Sequence, residues 1–469
     1  MAKIKSFVIE SIEVESFAAE GKCIAKHEGQ VIFIEGSNVH PGDKVKLFVN
    51  NRKKNYAEAN VLEILEPSPL RIQPFCSHFG VCGGCKWQHV PYEKQLSLKW
   101  QQVNDQLTRI GKLQLPEIKP ILASANTQFY RNKLEYTFSN SRWFTRDEIS
   151  TDLAMSKNAL GFHVPKRFEK VLPIEKCYLQ ADPSNDIRLT LRDLAIKNQY
   201  TYYDHIAHEG FLRNIMIRTA STGEIMIMVQ FAQDNETEIN VVMEHLKAKF
   251  PQINSLNYIL NQKRNDTFND LEVNTFYGKP YIEERMEDLV FRIGVKSFYQ
   301  TNSEQAYELY KITRTFADLK GDELVYDLYT GTGTIANFVA KQARHVIGIE
   351  YVADAVEDAK INSAVNHIHN TEFFAGDMRK FLTNDFIAEK GRPDVVITDP
   401  PRAGMDEPVV RTLMESAPKR IVYVSCNPAT QARDLAILSE KYDITAVQPV
   451  DMFPHTHHVE NVARLDLRG

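Results

Sequence analysis

The pattern of apolar and polar positions changes character along the chain. In the first sixty-odd residues the apolar positions fall in short or alternating runs, at 6–15, 30–34, 44–49 and 57–64, punctuated by Gly21, Gly29, Gly36 and the turn Pro41-Gly42-Asp43. Short runs with frequent turns predict strands, and several such strands predict a small barrel of the OB type, a shape that often binds nucleic acid. The pattern fits an all-β domain without that role equally well. Glu66, Pro67, Ser68 and Pro69 read as a linker. A polar stretch with helical spacing follows at 92–110. Residues 125–285 mix strand-like runs (133–139, 215–219, 224–230) with a helical one (236–249). From about residue 322 the pattern becomes strand, loop, helix, repeated, which predicts a parallel, doubly wound sheet with helices on both faces. The expected architecture is therefore α/β and multidomain, with divisions near 1–66, 67–285 and 286–469.

The strands of this last region carry candidate chemistry at their ends. Five apolar runs lead in turn to Asp327, Glu350, Asp377, Asp399 and Cys426. In a doubly wound sheet such strand ends share one edge, and ligands bind at that edge. The first opens a glycine loop, Asp327 to Thr334 with Gly331 and Gly333, and then a helix. Glu350 ends the next strand about 20 residues on, where an acidic group can take both ribose hydroxyls. The loop lacks the third glycine of a dinucleotide fingerprint and the Lys-Ser/Thr of a phosphate-binding loop. An adenosyl ligand without pyrophosphate suits it better than NAD or ATP. Asp399-Pro400-Pro401-Arg402 follows a strand directly, and its stiff prolines suit a floor under a flat base.

Composition narrows the class. Of 469 residues, 43% are hydrophobic and 25% charged, which describes an ordinary soluble protein. No run of about 20 apolar residues is present to span a membrane, and the N-terminal residues have no apolar signal segment, so a cytoplasmic monomer is expected. The formal net charge of −5 argues against coating nucleic acid by bulk attraction. It leaves room for a local basic surface such as Lys44, Lys46, Arg52, Lys53 and Lys54, although by itself that cluster is better explained as a solvated turn. Three of the six cysteines, Cys76, Cys82 and Cys85, sit within ten residues. In a cytoplasmic chain that crowding points to metal rather than disulfides. Cys426 at a strand end facing a ligand cleft can be a nucleophile, where a lone cysteine is otherwise usually buried and inert. Glu460, in His455-Thr456-His457-His458-Val459-Glu460, is the candidate general base, and its histidines read as a polar loop.

Together these motifs resemble the RNA uracil-5-methyltransferase family, and within it the iron–sulfur branch acting on 23S ribosomal RNA. The resemblance covers nearly the whole chain. Residues 21–71 look like that family's TRAM domain, an OB-type RNA-binding barrel. Cys76, Cys82, Cys85 and the distant Cys177 match the four ligands of its [4Fe-4S] cluster in the central α+β domain. Phe298 to Asn302 resembles its cofactor motif, with Gln300 as the contact, and Tyr329, Glu350, Asp377 and Asp399 fall on its S-adenosylmethionine positions. Cys426 falls on its nucleophile and Glu460 on its base, with Asp399 beside them. Thr330 and Thr334 depart from the family's glycine loop, which often carries Cys and Asn at those places. The resemblance also implies that part of the 92–110 helix packs on the catalytic domain. It implies transfer of a methyl group to uridine C5 in RNA, most simply in 23S ribosomal RNA. Three other readings are the same reaction on transfer RNA, a zinc-bearing RNA-binding protein with an inactive methyltransferase fold, and an amino-group methyltransferase using Asp399-Pro400-Pro401. The last needs no cysteine, and Arg402 stands where its stacking aromatic belongs. A radical enzyme lacks its usual three-cysteine spacing here.

Overall fold

The alternating apolar positions of the N-terminal segment line a barrel. In the computed structural model, residues 6–36, 38–53, 55–150 and 155–469 are described. Strands β1 (Phe7–Glu13), β2 (Ser16–Phe17), β3 (Cys23–His27), β4 (Gln30–Glu35), β5 (Lys44–Arg52) and β6 (Tyr56–Glu66) are bonded in the order β1-β5-β6-β4-β3-β2. The two ends of that order are halves of one bent segment. β1 pairs with β5, β2 pairs with β3, and the Glu15 N–H donates to the Ile24 carbonyl at 2.8 Å. The sheet thereby closes on itself, around Ile9, Ile32, Ile34, Val45, Leu47 and Ala59. Of the basic cluster, Lys44 and Lys46 pair outside with Glu66 and Glu10, and Lys54 lies outside the described residues.

The central sheet has strands β7 (Lys133–Ser139), β8 (Ala159–Val164), β9 (Arg167–Pro173), β10 (Leu212–Thr219), β11 (Ile225–Phe231), β12 (Ser255–Leu260) and β13 (Asn274–Gly278), in the order β13-β12-β11-β10-β7-β8-β9. Helices Ser184–Lys197 and Glu236–Lys249 cover one face through Ile187, Leu191, Val242 and Leu246. On the other face Met216, Met226 and Met228 share a core with Ile282 and Phe291 of the hairpin β14 (Tyr281–Met286) and β15 (Leu289–Gly294), and with the C-terminal sheet. Because both faces are covered, β10 and β11 read as apolar runs rather than alternations.

The C-terminal sheet contains β16 (Leu324–Leu328), β17 (His345–Glu350), β18 (Thr371–Ala375), β19 (Val395–Thr398), β20 (Arg420–Ser425), β21 (Tyr442–Val450) and β22 (Glu460–Leu467). Their order is β18-β17-β16-β19-β20-β22-β21. The first five are parallel, and β22 runs antiparallel between β20 and β21. The apolar pattern predicts the parallel part and not the inserted antiparallel strand. The chain order reverses between β16 and β19, which opens a crevice at their C-terminal ends. Helix Tyr92–Asp105 and the wide turn Gln106–Ile110 lie against this sheet, where Val103 and Leu107 join Tyr326, Ala432 and Leu435 in one core. Among the described residues, no helix is long and apolar enough to cross a membrane.

Candidate active site

The glycine loop leaves β16 and turns tightly. Gly331 and Gly333 have φ of 55° and 74°, and Tyr329 shares that left-handed geometry at 63°. A Cβ on Gly333 would stand 2.8 Å from the Ala359 side chain, so a larger residue there forces two helices apart. A Cβ on Gly331 would meet nothing within 4 Å, which leaves the backbone open on its ligand side. Glu350, ending β17, accepts the Gly331 N–H on one carboxylate oxygen and the Val352 N–H on the other, each at 3.0 Å. It therefore sets the loop's shape as well as its charge. Asp377 caps the short helix Met378–Phe381 and pairs with Arg379, which holds its carboxyl below the usual range. The Phe298–Asn302 motif lies beside the glycine loop, since Thr332 Oγ1 reaches the Phe298 carbonyl at 3.4 Å. Gln300 is fixed through its own carbonyl, which accepts from Asn132 at 2.8 Å. Thr334 is buried in the first turn of its helix, 3.3 Å from Thr332 Oγ1.

Across the crevice, sheet register brings the remaining candidates together. Ser425 pairs with Asn461 and Val450 with Glu460, so Glu460 stands beside the end of β20 where Cys426 begins the next turn. Gln431 locks this register, donating to the carbonyls of Tyr423 and Asn461 and accepting from the Asn461 amide. Burial pushes the Cys426 thiol up to about 11. The Glu460 and Asp399 carboxylates add to that, and the Arg402 guanidinium opposes it. Burial and Asp399 hold the Glu460 carboxyl well above the carboxylate range. Enclosure raises Asp399 to about 7, although part of its surface opens to the cleft. Asp327 is 1% exposed and is also raised to about 7, first by burial. Its Oδ2 accepts from Thr330 Oγ1 at 2.5 Å, while Oδ1 has no partner. Tyr310, deep in helix Ser303–Ala317, has its hydroxyl pushed well up by burial, and the Asp399, Asp327 and Glu460 carboxylates add to that. A thiol, three carboxyls with raised proton affinity and one guanidinium thus share a crevice beside an adenosyl-type loop, a set suited to covalent and proton-transfer chemistry.

Several residues support the site through contacts that their motifs do not reveal. Arg402 follows the two prolines, and its carbonyl accepts from Asn427 Nδ2 and Thr430 Oγ1 at 3.0 and 3.1 Å. Asp434 accepts the Met405 N–H and the Tyr423 hydroxyl. The helix after Cys426 therefore holds the Asp399 loop in place. Segment 455–458 is not the solvated polar loop its composition suggests. His455 is buried, its N–H donates to Gln95 Oε1 at 2.8 Å, and its carbonyl accepts from Lys86 and Trp87. The wholly buried Lys99 donates to Asp451 at 2.5 Å and to the Phe453 carbonyl, and Tyr92 donates to Asp451 at 2.8 Å. These contacts tie the approach to Glu460 to the segment just after Cys85.

Cys76, Cys82, Cys85 and Cys177 line one cavity of about 230 Å³, together with Arg131 and Lys176. None of them is bonded in a disulfide. Asn185 fixes Cys177 through both its N–H and its carbonyl. The only group of three or more metal-type ligand atoms lying within 4.8 Å of one another, among the described residues, is a different one. No three of the four sulfurs therefore lie mutually within 4.8 Å. Zinc–thiolate bonds of about 2.3 Å set sulfurs roughly 3.8 Å apart.

Comparison with known proteins bears on the family and the fold. Residues 219–467 match the family model of tRNA (uracil-5-)-methyltransferases, and residues 9–62 match that of the TRAM domain. An uncharacterized RNA methyltransferase of Bacteroides thetaiotaomicron is 59% identical over 96% of this chain and all of its own length. A homologue of the same description from Chlorobaculum tepidum is 40% identical over 98% of this chain and 96% of its own. Among solved structures, the Pyrococcus abyssi tRNA (uracil-54, C5)-methyltransferase, bound to S-adenosyl-L-homocysteine, superimposes with a TM-score of 0.73. That match is at 26% identity and covers 97% of this chain and 100% of the other.

Proposed function

Because the chain belongs to the tRNA (uracil-5-)-methyltransferase family and carries its TRAM domain, we propose that it methylates uridine C5 in 23S ribosomal RNA through a transient bond to Cys426. One observation carries this reading: strand pairing sets Glu460 beside the end of β20, where Cys426 follows, while Asp399 follows the neighbouring β19, which itself adjoins the strand that opens the glycine loop. S-adenosylmethionine, when bound, supplies an electrophilic methyl group on a sulfonium. The residues present suit it, with the open face of Gly331 and the carboxylates of Glu350 and Asp377.

Uracil C5 is a weak nucleophile, and the protein's own groups must activate it. The Cys426 thiolate adds to C6, and the ring's π electrons move toward the C4 carbonyl oxygen. Arg402 is the cation beside the thiol that favours its ionised form. Asp399, raised to about 7, is able to donate a hydrogen bond to the developing oxyanion. C5, now electron-rich, accepts the methyl group. The Glu460 carboxylate then takes the C5 proton, the C6–S bond breaks, and the thiolate leaves. A buried carboxylate of raised proton affinity is a strong base once ionised, and general bases contribute about 10²–10⁴ in rate. A base held in folded RNA must first be turned out of its stack. A groove of about 1090 Å³ between the barrel and the central sheet, lined by Lys86, Arg142, Trp143, Phe144 and Lys170, offers the cations and aromatic faces that suit unpaired RNA in the cytoplasm.

The cavity of the four cysteines suits a [4Fe-4S] cluster held by all-thiolate ligation, which would cross-link residues 76–85 to Cys177. Transfer RNA is the second reading, favoured by the substrate named for the Pyrococcus abyssi enzyme. Mapping 5-methyluridine in both RNAs of a deletion strain separates the two. The mechanism is tested with RNA carrying 5-fluorouridine. Fluorine cannot leave as a cation, so the wild-type enzyme is trapped as a band that survives denaturing gels. Cys426→Ala binds RNA yet transfers no methyl, and Glu460→Gln methylates once and stalls as an adduct. Normal turnover by Cys426→Ala refutes the covalent route.

A further inference from the structure

Away from the crevice, three side chains from separate segments of the central domain meet. His163 lies on β8, His205 follows Tyr203 in the loop before β10, and Asp266 sits in the loop between β12 and β13. One ligand-type atom of each lies within 4.8 Å of the other two. The imidazoles meet edge to face with centroids 5.1 Å apart. His163 Nδ1 and His205 Nε2 are both buried and have no hydrogen-bond partner, and His205 is only 9% exposed. A buried nitrogen that gives up water without gaining a partner is destabilising. Two such imidazoles grouped with a carboxylate call for an occupant.

The carboxylate is aimed by the surrounding chain. Arg213 is wholly buried and donates to the carbonyls of Asn261, Lys263 and Asn265 and to Asp266 Oδ1, all at 2.6–2.8 Å. This pins the loop and leaves the second oxygen of Asp266 for another partner, as outer hydrogen bonds do for metal-ligating carboxylates. Two imidazoles and one carboxylate form a ligand set that suits zinc or iron(II) and differs in kind from the thiolates of the other cavity.

We propose that His163, His205 and Asp266 bind one divalent first-row transition cation through two imidazole nitrogens and one carboxylate oxygen, with its remaining positions open to water. The cation ties β8 to the loops before β10 and after β12. It acts as a brace of the central domain and takes no part in methyl transfer.

The probe is Co²⁺, titrated anaerobically into full-length protein whose cysteine site is intact and whose exchangeable metal has been removed. The wild type takes up one equivalent with the weak visible bands of nitrogen and oxygen ligation and without thiolate charge transfer. His205→Ala and Asp266→Asn each weaken uptake by about 10–100-fold or more. His205→Gln, closer in shape, does the same while far-UV circular dichroism and iron content stay at wild-type levels. Zn²⁺ raises the melting temperature of the wild type and not of Asp266→Asn. The proposal is overturned if the wild type binds Co²⁺ no more tightly than a His163→Ala/His205→Ala double variant, or if the bound cobalt shows thiolate charge transfer. Water alone then fills the site.

Discussion

Replacing Asp327 by asparagine separates what the crevice costs in stability from what it provides. The carboxyl is held at about 7 in the folded chain, against 3.8 for the free group. From pH 4 to pH 7 the folded state therefore binds more protons than the unfolded one, and stability falls as pH rises. A difference of about 3 pKa units, at about 1.36 kcal/mol each, amounts to about 4 kcal/mol lost by pH 8. Asp399 titrates in the same window and repels Asp327, so relief of that repulsion is part of the gain. The substituted amide keeps an acceptor for Thr330 and removes the charge. The melting temperature of D327N relative to wild type should climb between pH 4.5 and pH 8, by roughly 8 °C if each kcal/mol moves it about 2 °C. The affinity for S-adenosylmethionine should fall in the same variant, because the unpartnered Oδ1 of Asp327 lies at the base of the glycine loop. Differential scanning calorimetry across that pH range reads the first effect and titration calorimetry the second. A melting difference that stays flat with pH refutes the account, since it means that Asp327 is ionised in the folded chain at all these values.

Glu350→Ala removes an acceptor for Gly331 and Val352 as well as the proposed ligand for the ribose. Charge-assisted hydrogen bonds of about 1.5–3 kcal/mol each imply at least tenfold weaker S-adenosylmethionine binding by calorimetry. Lys99→Met strands the buried Asp451 carboxylate and should cost about 3–5 kcal/mol in urea unfolding, most of it recovered when Asp451→Asn is added. Anaerobically purified protein should be brown with matching iron and sulfide, and Cys177→Ser should lose both together. Zinc without sulfide in the wild type would exclude the cluster.

The catalytic half was legible because parallel strands covered on both faces must be apolar until they reach the sheet edge. The residue capable of chemistry at the end of each run, from Asp327 to Cys426, therefore marks that edge. The loop chemistry of Gly331 and Gly333 was legible for a related reason, since the left-handed backbone there demands glycine. What escaped the pattern depends on contacts between distant segments. The insertion of β22 follows from pairing with β20 and β21, and nothing local to residues 460–467 dictates it. The burial of His455 follows from its bonds to Lys86, Trp87 and Gln95. Arg402 was visible as a residue, and its place beside Cys426 comes from bonds to the following helix. The meeting of His163, His205 and Asp266 spans about a hundred positions and leaves no periodic trace.

Because Glu460 is positioned by the pairing of β22 with β20 and β21, the loop that precedes it does not measure its distance from Cys426. The ladder works as a ruler graduated in single residues, and each graduation turns a side chain to the opposite face. Segment 451–459 can therefore gain or lose residues, as far as its own anchoring contacts allow, while thiol and carboxylate keep their separation. One residue inserted within β22 next to Asn461 would instead carry the acid out of the crevice while leaving every strand in place. Divergence in this chain has a tolerant coordinate and an intolerant one, and they lie side by side.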